Sequence, residues 1–479
     1  MTLKTPELLL PAGTLDRMRA AYDFGADAVY AGQPRYSLRA RNNEFKLEQL
    51  KQGIEEAHAR GRKFFITSNL IAHNDKVRTY LRDIAPLIEM KPDAIIMADP
   101  GLIMQVKERW PEVAVHLSVQ ANTTNAAAVK FWQKAGVSRV ILSRELSLDE
   151  VEIIRHECPD MELEVFVHGA LCIAYSGRCY LSGYFNRRDP NQGTCTNACR
   201  WAYQTHHADV DPNTGDAVAR TGGTTASSCG SHHKPHHTQA LSFVEPDVGP
   251  ALSNGADGDE VWGDMGDDGE TDATLDLPST YIMNSKDLRA IEHVGRLVKM
   301  GIDSLKVEGR TKSRYYVART AQVYRRAIDD AVAGRPFNPE LLQQLEGLAN
   351  RGYTAGLLEP QSMQQYQNYT TGYSVSQRSQ FVAEVLGQDG ADALGLDAAW
   401  VQVETKNRFA VGDTLELVRP QGNHTFQLQA MRDVQGQPVA VASGSPLRVW
   451  VALPSDAHDS ASAAPAAEGA MLARMLAPA

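Results

Sequence analysis

Eight short apolar runs, most of them followed by an amphipathic stretch, constrain the fold of this chain more than any other feature. The runs are Glu7 to Leu10, Ala28 to Ala31, Lys63 to Thr67, Ala94 to Ala98, Val113 to Leu117, Arg139 to Leu142, Leu163 to Val167 and Ser304 to Val307. Stretches such as Asp16 to Phe24, Leu47 to Ala59 and Ala126 to Ala135 have helical spacing between them. Strands alternating with helices at this interval mark successive βα units and a parallel sheet. Eight units predict an α/β fold of the (β/α)8, TIM-like barrel type. A doubly wound sheet is the alternative, but no Gly-x-Gly-x-x-Gly opens the chain.

Barrels put their chemistry at the carboxyl ends of the strands. Those positions read Pro11-Ala-Gly13, Gly32, Asn69, Asp99, Gln120, Arg144-Glu145, His168 and Glu308-Gly-Arg310. A whole ring of polar or backbone-exposing ends reads as a pocket. His168, Glu145 and Glu308 are the candidate catalytic residues. His168 is either a general acid or base or a hydrogen-bonding support for the next loop, and the glutamates are either pocket acids or partners of neighbouring arginines. In residues 32–45, Arg35, Arg39 and Arg41 flank Tyr36 with no acid before Glu44. Guanidinium groups there can grip phosphate or carboxylate bidentately. Lys306 and Arg310, with Lys312 and Arg314, form a second basic cluster where barrels often bind phosphate. Asn69, Gln120 and Arg144 complete the candidate substrate-binding set.

The seventh run leads into a loop holding Cys172, Cys179, Cys195 and Cys199, interleaved with Pro190 and several glycines. Such a loop either cross-links or holds a metal. The N-terminus MTLKTPELLLPAG lacks the apolar core and cleavage site of a secretory signal, so reduced thiols and a cytoplasmic location are expected. The spacing is Cys-x6-Cys, fifteen residues, then Cys-x3-Cys. Only the last pair resembles a zinc knuckle. Four thiolates also suit an iron-sulfur cluster, which is the favoured reading, with zinc open beside it. Cys158 and Cys229 are left outside the set, with substitution for a cluster ligand as their alternative role.

The 479 residues are too many for one ordinary domain. No run of eighteen apolar residues suggests a membrane partner. The net charge of -10 is uneven: residues 206–280 hold fourteen Asp and Glu against two Lys and Arg, leaving 44 acidic and 46 basic residues elsewhere. A near-neutral body permits a basic face for RNA. Residues 206–280, with HHKPHH at 232–237, read as a disordered acidic, His-rich insertion in the barrel domain of residues 1–335. A helical connector is expected over 336–376, a small β-barrel domain over 377–453 and a disordered tail over 454–479. In the third of these, Gly412-Asp-x-Leu-Glu-Leu417 is similar to translation-factor-like barrels, which suggests RNA docking, with a structural lid as the alternative.

The run HGALCIAYSGRCYLSGYFNRRDPNQGTCTNACRW, with Tyr281-Ile-Met-Asn-Ser-Lys-Asp-Leu288 and Ser304-Leu-Lys-Val-Glu-Gly-Arg-Thr-Lys-Ser313, closely resembles the collagenase-like peptidase family, U32. The likeness covers about residues 5–205 and 280–453. Its tRNA-hydroxylating members imply formation of 5-hydroxyuridine at the wobble position, with an iron-sulfur cluster of the 4Fe-4S type and prephenate as co-substrate. The implied partners are the anticodon arm of tRNA, a small carboxylate metabolite and an electron-donor protein. The family name implies peptide hydrolysis instead, for which Cys172 with His168 is the imaginable pair. A non-catalytic carrier of substrate or electrons is the third reading.

Overall fold

The computed structural model describes residues 3–38, 45–210, 217–218, 238–242, 279–360, 363–376, 378–454 and 469–476. Its main body is a closed parallel barrel of β1 (Glu7–Pro11), β2 (Ala28–Gly32), β3 (Lys63–Ser68), β4 (Ala94–Met97), β5 (Val115–Leu117), β6 (Arg139–Ile141), β7 (Glu162–Ala170) and β8 (Ser304–Val307). Closure comes from β8, which pairs in parallel with both β1 and β7. The strands lie buried between the lumen and the outer helices, which is why they read as continuous apolar runs.

Helices α1 (Leu15–Asp23), α2 (Leu47–Ala59), α3 (Asn74–Glu89), α4 (Pro100–Arg109), α5 (Ala126–Lys134) and α6 (Leu148–Glu157) follow the first six strands. Local chemistry sets their starts. Thr14, Asp99, Asn125 and Ser147 accept hydrogen bonds from the first turns of α1, α4, α5 and α6, and Pro100 pre-sets the backbone of α4. A short α7 (Leu181–Asn186) lies in the cysteine loop, and α8 (Val294–Met300) precedes β8. The long α9 (Arg314–Val332) is capped by Ser313 and buries eleven residues, and α10 (Glu340–Glu346) begins the connector.

The C-terminal domain is a seven-stranded antiparallel sheet with the order 424–427, 414–418, 471–475, 379–387, 400–405, 448–452, 431–432. Here the expected disordered tail is corrected. Met471–Met475 is an interior strand between Thr414–Val418 and Ser379–Gly387, with Met471, Leu472 and Ala473 fully buried. The domain rests on α9 through Tyr315 stacked on Phe381, the Arg319–Glu416 ion pair and Gln322 Nε2 donating to the Arg419 carbonyl at 2.7 Å.

The expected disordered insertion falls mostly outside the described residues, as do Cys229 and the His-rich tract. Its described parts are ordered as strands: 203–210 pairs antiparallel with 238–242 and 279–280. No helix among the described residues is long and apolar enough to cross a membrane.

Candidate functional site

The loop after β7 lies across the carboxyl end of the barrel and is tied to several other strand-end loops. Ser176, buried between Cys172 and Cys179, donates its backbone N–H to Glu145 at 2.6 Å. The Ser176 and Ser143 hydroxyls also donate to Glu145, and the two hydroxyls meet at 2.8 Å. Asn122 Nδ2 reaches the Tyr175 carbonyl at 3.1 Å, and Arg178 Nε reaches that of Gln120 at 2.8 Å. Further along, Gln192 accepts from Lys76 Nζ at 2.8 Å and donates to the Ile71 carbonyl. Ser176, Arg187 and Asn197 hold positive φ despite having a Cβ, a conformation kept only when the surroundings over-determine it. Gly177 is also at positive φ, and a Cβ there would lie 2.4 Å from Gln120 Nε2. The positive φ favours glycine, and any side chain there would have to push the Gln120 amide aside.

The four thiols are free. Cys172 and Cys195 are exposed, whereas Cys179 and Cys199 are partly covered. Burial pushes the Cys199 thiol up to about 12, and the nearby Cys172 and Cys195 add to the rise. Cys179 is raised by burial and, less, by the same two cysteines. Burial and the neighbouring Cys199 and Cys179 push Tyr203 up to about 12. Backbone amides of Leu181 and Asn197 each donate to the sulfur two residues back, Cys179 and Cys195, at 3.4 Å. Four soft donors gathered in one loop, two with amide support, suit an iron-sulfur cluster or zinc. No three His, Cys, Asp or Glu groups among the described residues close on one ion, so ligation would draw the sulfurs inward.

Beneath the loop, Arg144 stacks over Phe166 at 4.1 Å, donates to the Ala170 carbonyl at 3.0 Å and pairs with Glu308 at 3.6 Å. Its buried Nε has no hydrogen-bond partner among the described residues. Arg310 reaches across the mouth to Ser37 Oγ at 2.7 Å, Thr67 Oγ1 at 2.9 Å and the Leu38 carbonyl. Asn69 bridges the Leu38 amide and Ser118 Oγ, each at 3.2 Å. Glu145, Glu308, Asn69, Gln120, Arg144 and Arg310 therefore share the mouth, as their strand-end positions suggested.

Of the five other candidates, three lie elsewhere and two fall outside the described residues. His168 is buried against α9 with its ring among Tyr316, Tyr324 and Tyr353, and Tyr324 Oη stands 3.4 Å from Nδ1. Burial drives it down to about 3, against a smaller opposing pull from Asp287, so it is a neutral packing residue near neutral pH. A bulge in β7 at the Phe166–His168 step accompanies this placement. Lys306 lies deep in the barrel, paired with Glu164 at 2.8 Å, in a network where Arg139 joins Glu164 at 3.1 Å and Glu7 at 2.6 Å. Arg35 pairs with Asp83 on α3. Arg39 and Arg41 fall outside the described residues.

The sequence reading missed the anchors Ser143, Ser176 and Gln192, and also Arg351. Arg351 binds Asp287 at 2.6 Å and the Leu171 carbonyl at 3.3 Å, supporting the base of the cysteine loop. Burial opposes ionisation of Asp287, yet Arg351 holds it below the usual carboxylate range. Only Ser143, at a strand end, carried a positional signal.

Residues 13–368 match the model of peptidase family U32 and residues 377–462 match that of the U32 C-terminal domain. The chain is 55% identical over 94% of both chains to tRNA hydroxylation protein P of Escherichia coli, and 51% identical over 94% of both to that of Haemophilus influenzae. It is 26% identical, over 94% of its own length and 57% of the relative's, to the Escherichia coli 23S rRNA 5-hydroxycytidine C2501 synthase. The barrel, the C-terminal sheet and the thiol loop thus come together in a chain that belongs to the U32 peptidase family.

Proposed function

We propose that the protein is a tRNA-modifying enzyme that hydroxylates the wobble uridine to 5-hydroxyuridine. The single observation that carries this reading is the 55% identity to tRNA hydroxylation protein P across nearly the full length of both chains. Replacing C5–H with C5–OH, with water as the oxygen source, releases two protons and two electrons, so the site needs a redox-active group that passes the electrons to an acceptor. Cys172, Cys179, Cys195 and Cys199 would hold an iron-sulfur cluster, which supplies electron transfer when bound. Prephenate is the proposed co-substrate. Arg144, whose buried Nε has no hydrogen-bond partner among the described residues, and Arg310 on the opposite rim would orient its carboxylates. Glu308 holds the Arg144 side chain in place.

The test begins with protein purified anaerobically beside a Cys195→Ala/Cys199→Ala variant. About four irons and four sulfides per chain, lost in the variant, are expected for such a cluster. Purified protein, unmodified tRNA, prephenate and a redox partner protein supplied in its oxidised form as electron acceptor should then yield 5-hydroxyuridine on nucleoside mass spectrometry. Stoichiometric zinc, or the cluster without product in the complete mixture, would overturn the redox reading. Peptide hydrolysis by a Cys172–His168 pair gains no support, because the His168 ring is sealed against α9.

A further inference from the structure

We propose that the outer face of the thiol loop is a stacking platform for an unpaired RNA loop, with Tyr180 and Tyr184 taking the bases and Arg187 and Arg188 the backbone. The proposal rests on the tRNA reading above and names the surface that would meet the anticodon loop. Tyr180 is 85% and Tyr184 73% exposed, the two most exposed large apolar side chains among the described residues, and Tyr175 lies in the same ten-residue stretch at 54%. Tyr180 caps α7 in near-helical geometry, and the Tyr184 amide donates to its carbonyl at 2.9 Å. The two rings thus stand one helical turn apart on one face.

Their surroundings favour nucleic acid over an apolar partner. Residues 171–202 contain four arginines and one acid, Asp189, in a chain of net charge -10. The single Asp189 carboxylate is occupied within the loop, accepting from the Asn191 amide at 2.8 Å and side chain at 3.1 Å. Arg187 and Arg188 are exposed, and neither side chain has an ion-pair partner among the described residues. Exposed aromatic rings with adjacent guanidinium groups bind single-stranded RNA by stacking on base faces and neutralising phosphate, and a duplex hides those faces. Tyr180 directly follows Cys179, so a base stacked there lies beside the thiols.

The test measures binding of the full-length protein, by fluorescence anisotropy, to a labelled anticodon stem-loop RNA and to a loop-free duplex of equal length. Tyr180→Ala/Tyr184→Ala should weaken stem-loop binding by about tenfold or more and leave duplex binding unchanged. Tyr180→Phe/Tyr184→Phe, which keeps the stacking faces, should bind like the parent. Arg187→Ala/Arg188→Ala should weaken both RNAs and flatten the salt dependence by roughly 1 to 2 in log–log slope. A 2-aminopurine in the RNA loop gives a readout on the unaltered protein: its fluorescence should change on binding the parent and the Phe pair. If the parent binds neither RNA, the tRNA reading itself falls. If it binds and the Ala pair matches it, or weakens both RNAs equally, the platform alone is refuted. Intact RNA binding with lost turnover only in the presence of a redox partner protein would assign the face to that protein and refute the proposal.

Discussion

Replacing Glu145 by alanine tests whether the barrel mouth holds the thiol loop in place. The carboxylate accepts three hydrogen bonds, two from Ser176 and one from Ser143, both buried residues. A hydrogen bond to a charged group contributes roughly 1.5 to 3 kcal/mol. The two from Ser176 at the low end give about 3 kcal/mol of local anchoring, and the strained backbone of Ser176, at φ 43, has nothing else of equal strength to hold it. Since about 1.4 kcal/mol is tenfold, local opening should become ~100-fold more frequent. The assay is alkylation of the metal-free protein followed by peptide mass spectrometry, reading Cys199, which is largely covered. Its labelling rate should rise by about two orders of magnitude, with a smaller rise in Glu145→Gln, which keeps an acceptor oxygen. A labelling rate unchanged in Glu145→Ala would refute the anchoring argument, and so would a change matched at the distant, buried Cys158.

Three further outcomes follow from the geometry. Because the pKa of His168 is depressed to about 3 from its ordinary 6.5, the unfolded chain takes up this proton first as pH falls. Stability should therefore be intact above pH 6.5 and decline below it by up to about 1.4 kcal/mol per pH unit until pH 3, and His168→Phe should flatten that limb in denaturant titrations at successive pH values; an unchanged slope would contradict it. Arg319→Ala strands Glu416 at the contact between α9 and the C-terminal sheet and should lower stability by about 3 kcal/mol, seen calorimetrically as earlier melting of the C-terminal domain. Truncation after residue 454 removes the buried Met471 and Leu472 from an interior strand, a loss of roughly 3 to 6 kcal/mol; the C-terminal sheet should become protease-sensitive, and an unaltered digestion pattern would show the strand to be dispensable.

Legibility followed the range of the interactions. All eight barrel strands were readable because a parallel strand buried on both sides must be apolar along its length, and that demand is written in adjacent residues. The ring of strand-end residues was readable for the same reason, since topology places those ends on one rim. His168 broke the pattern: a bulge in β7 accompanies its turn to α9, and no local signal marks a bulge. Lys306 misled because its residue type suggests an anion site, while its partner Glu164 lies 142 positions away. Met471–Met475 was hidden by an Ala- and Ser-rich flank, its partners being strands near 380 and 416.

The amino-acid sequence by itself determined the barrel, the antiparallel C-terminal domain and the gathering of four cysteines in one loop, since each depends on local period or spacing. Only the tertiary structure decided which polar groups are already satisfied. Lys306 is bound to Glu164 and Glu145 to Ser176, whereas Arg144 keeps a buried nitrogen without a hydrogen-bond partner among the described residues. The physical reason is that a charge loses its availability only when a specific partner reaches it in space, and chain closure into a barrel brings together residues that composition and spacing leave unrelated.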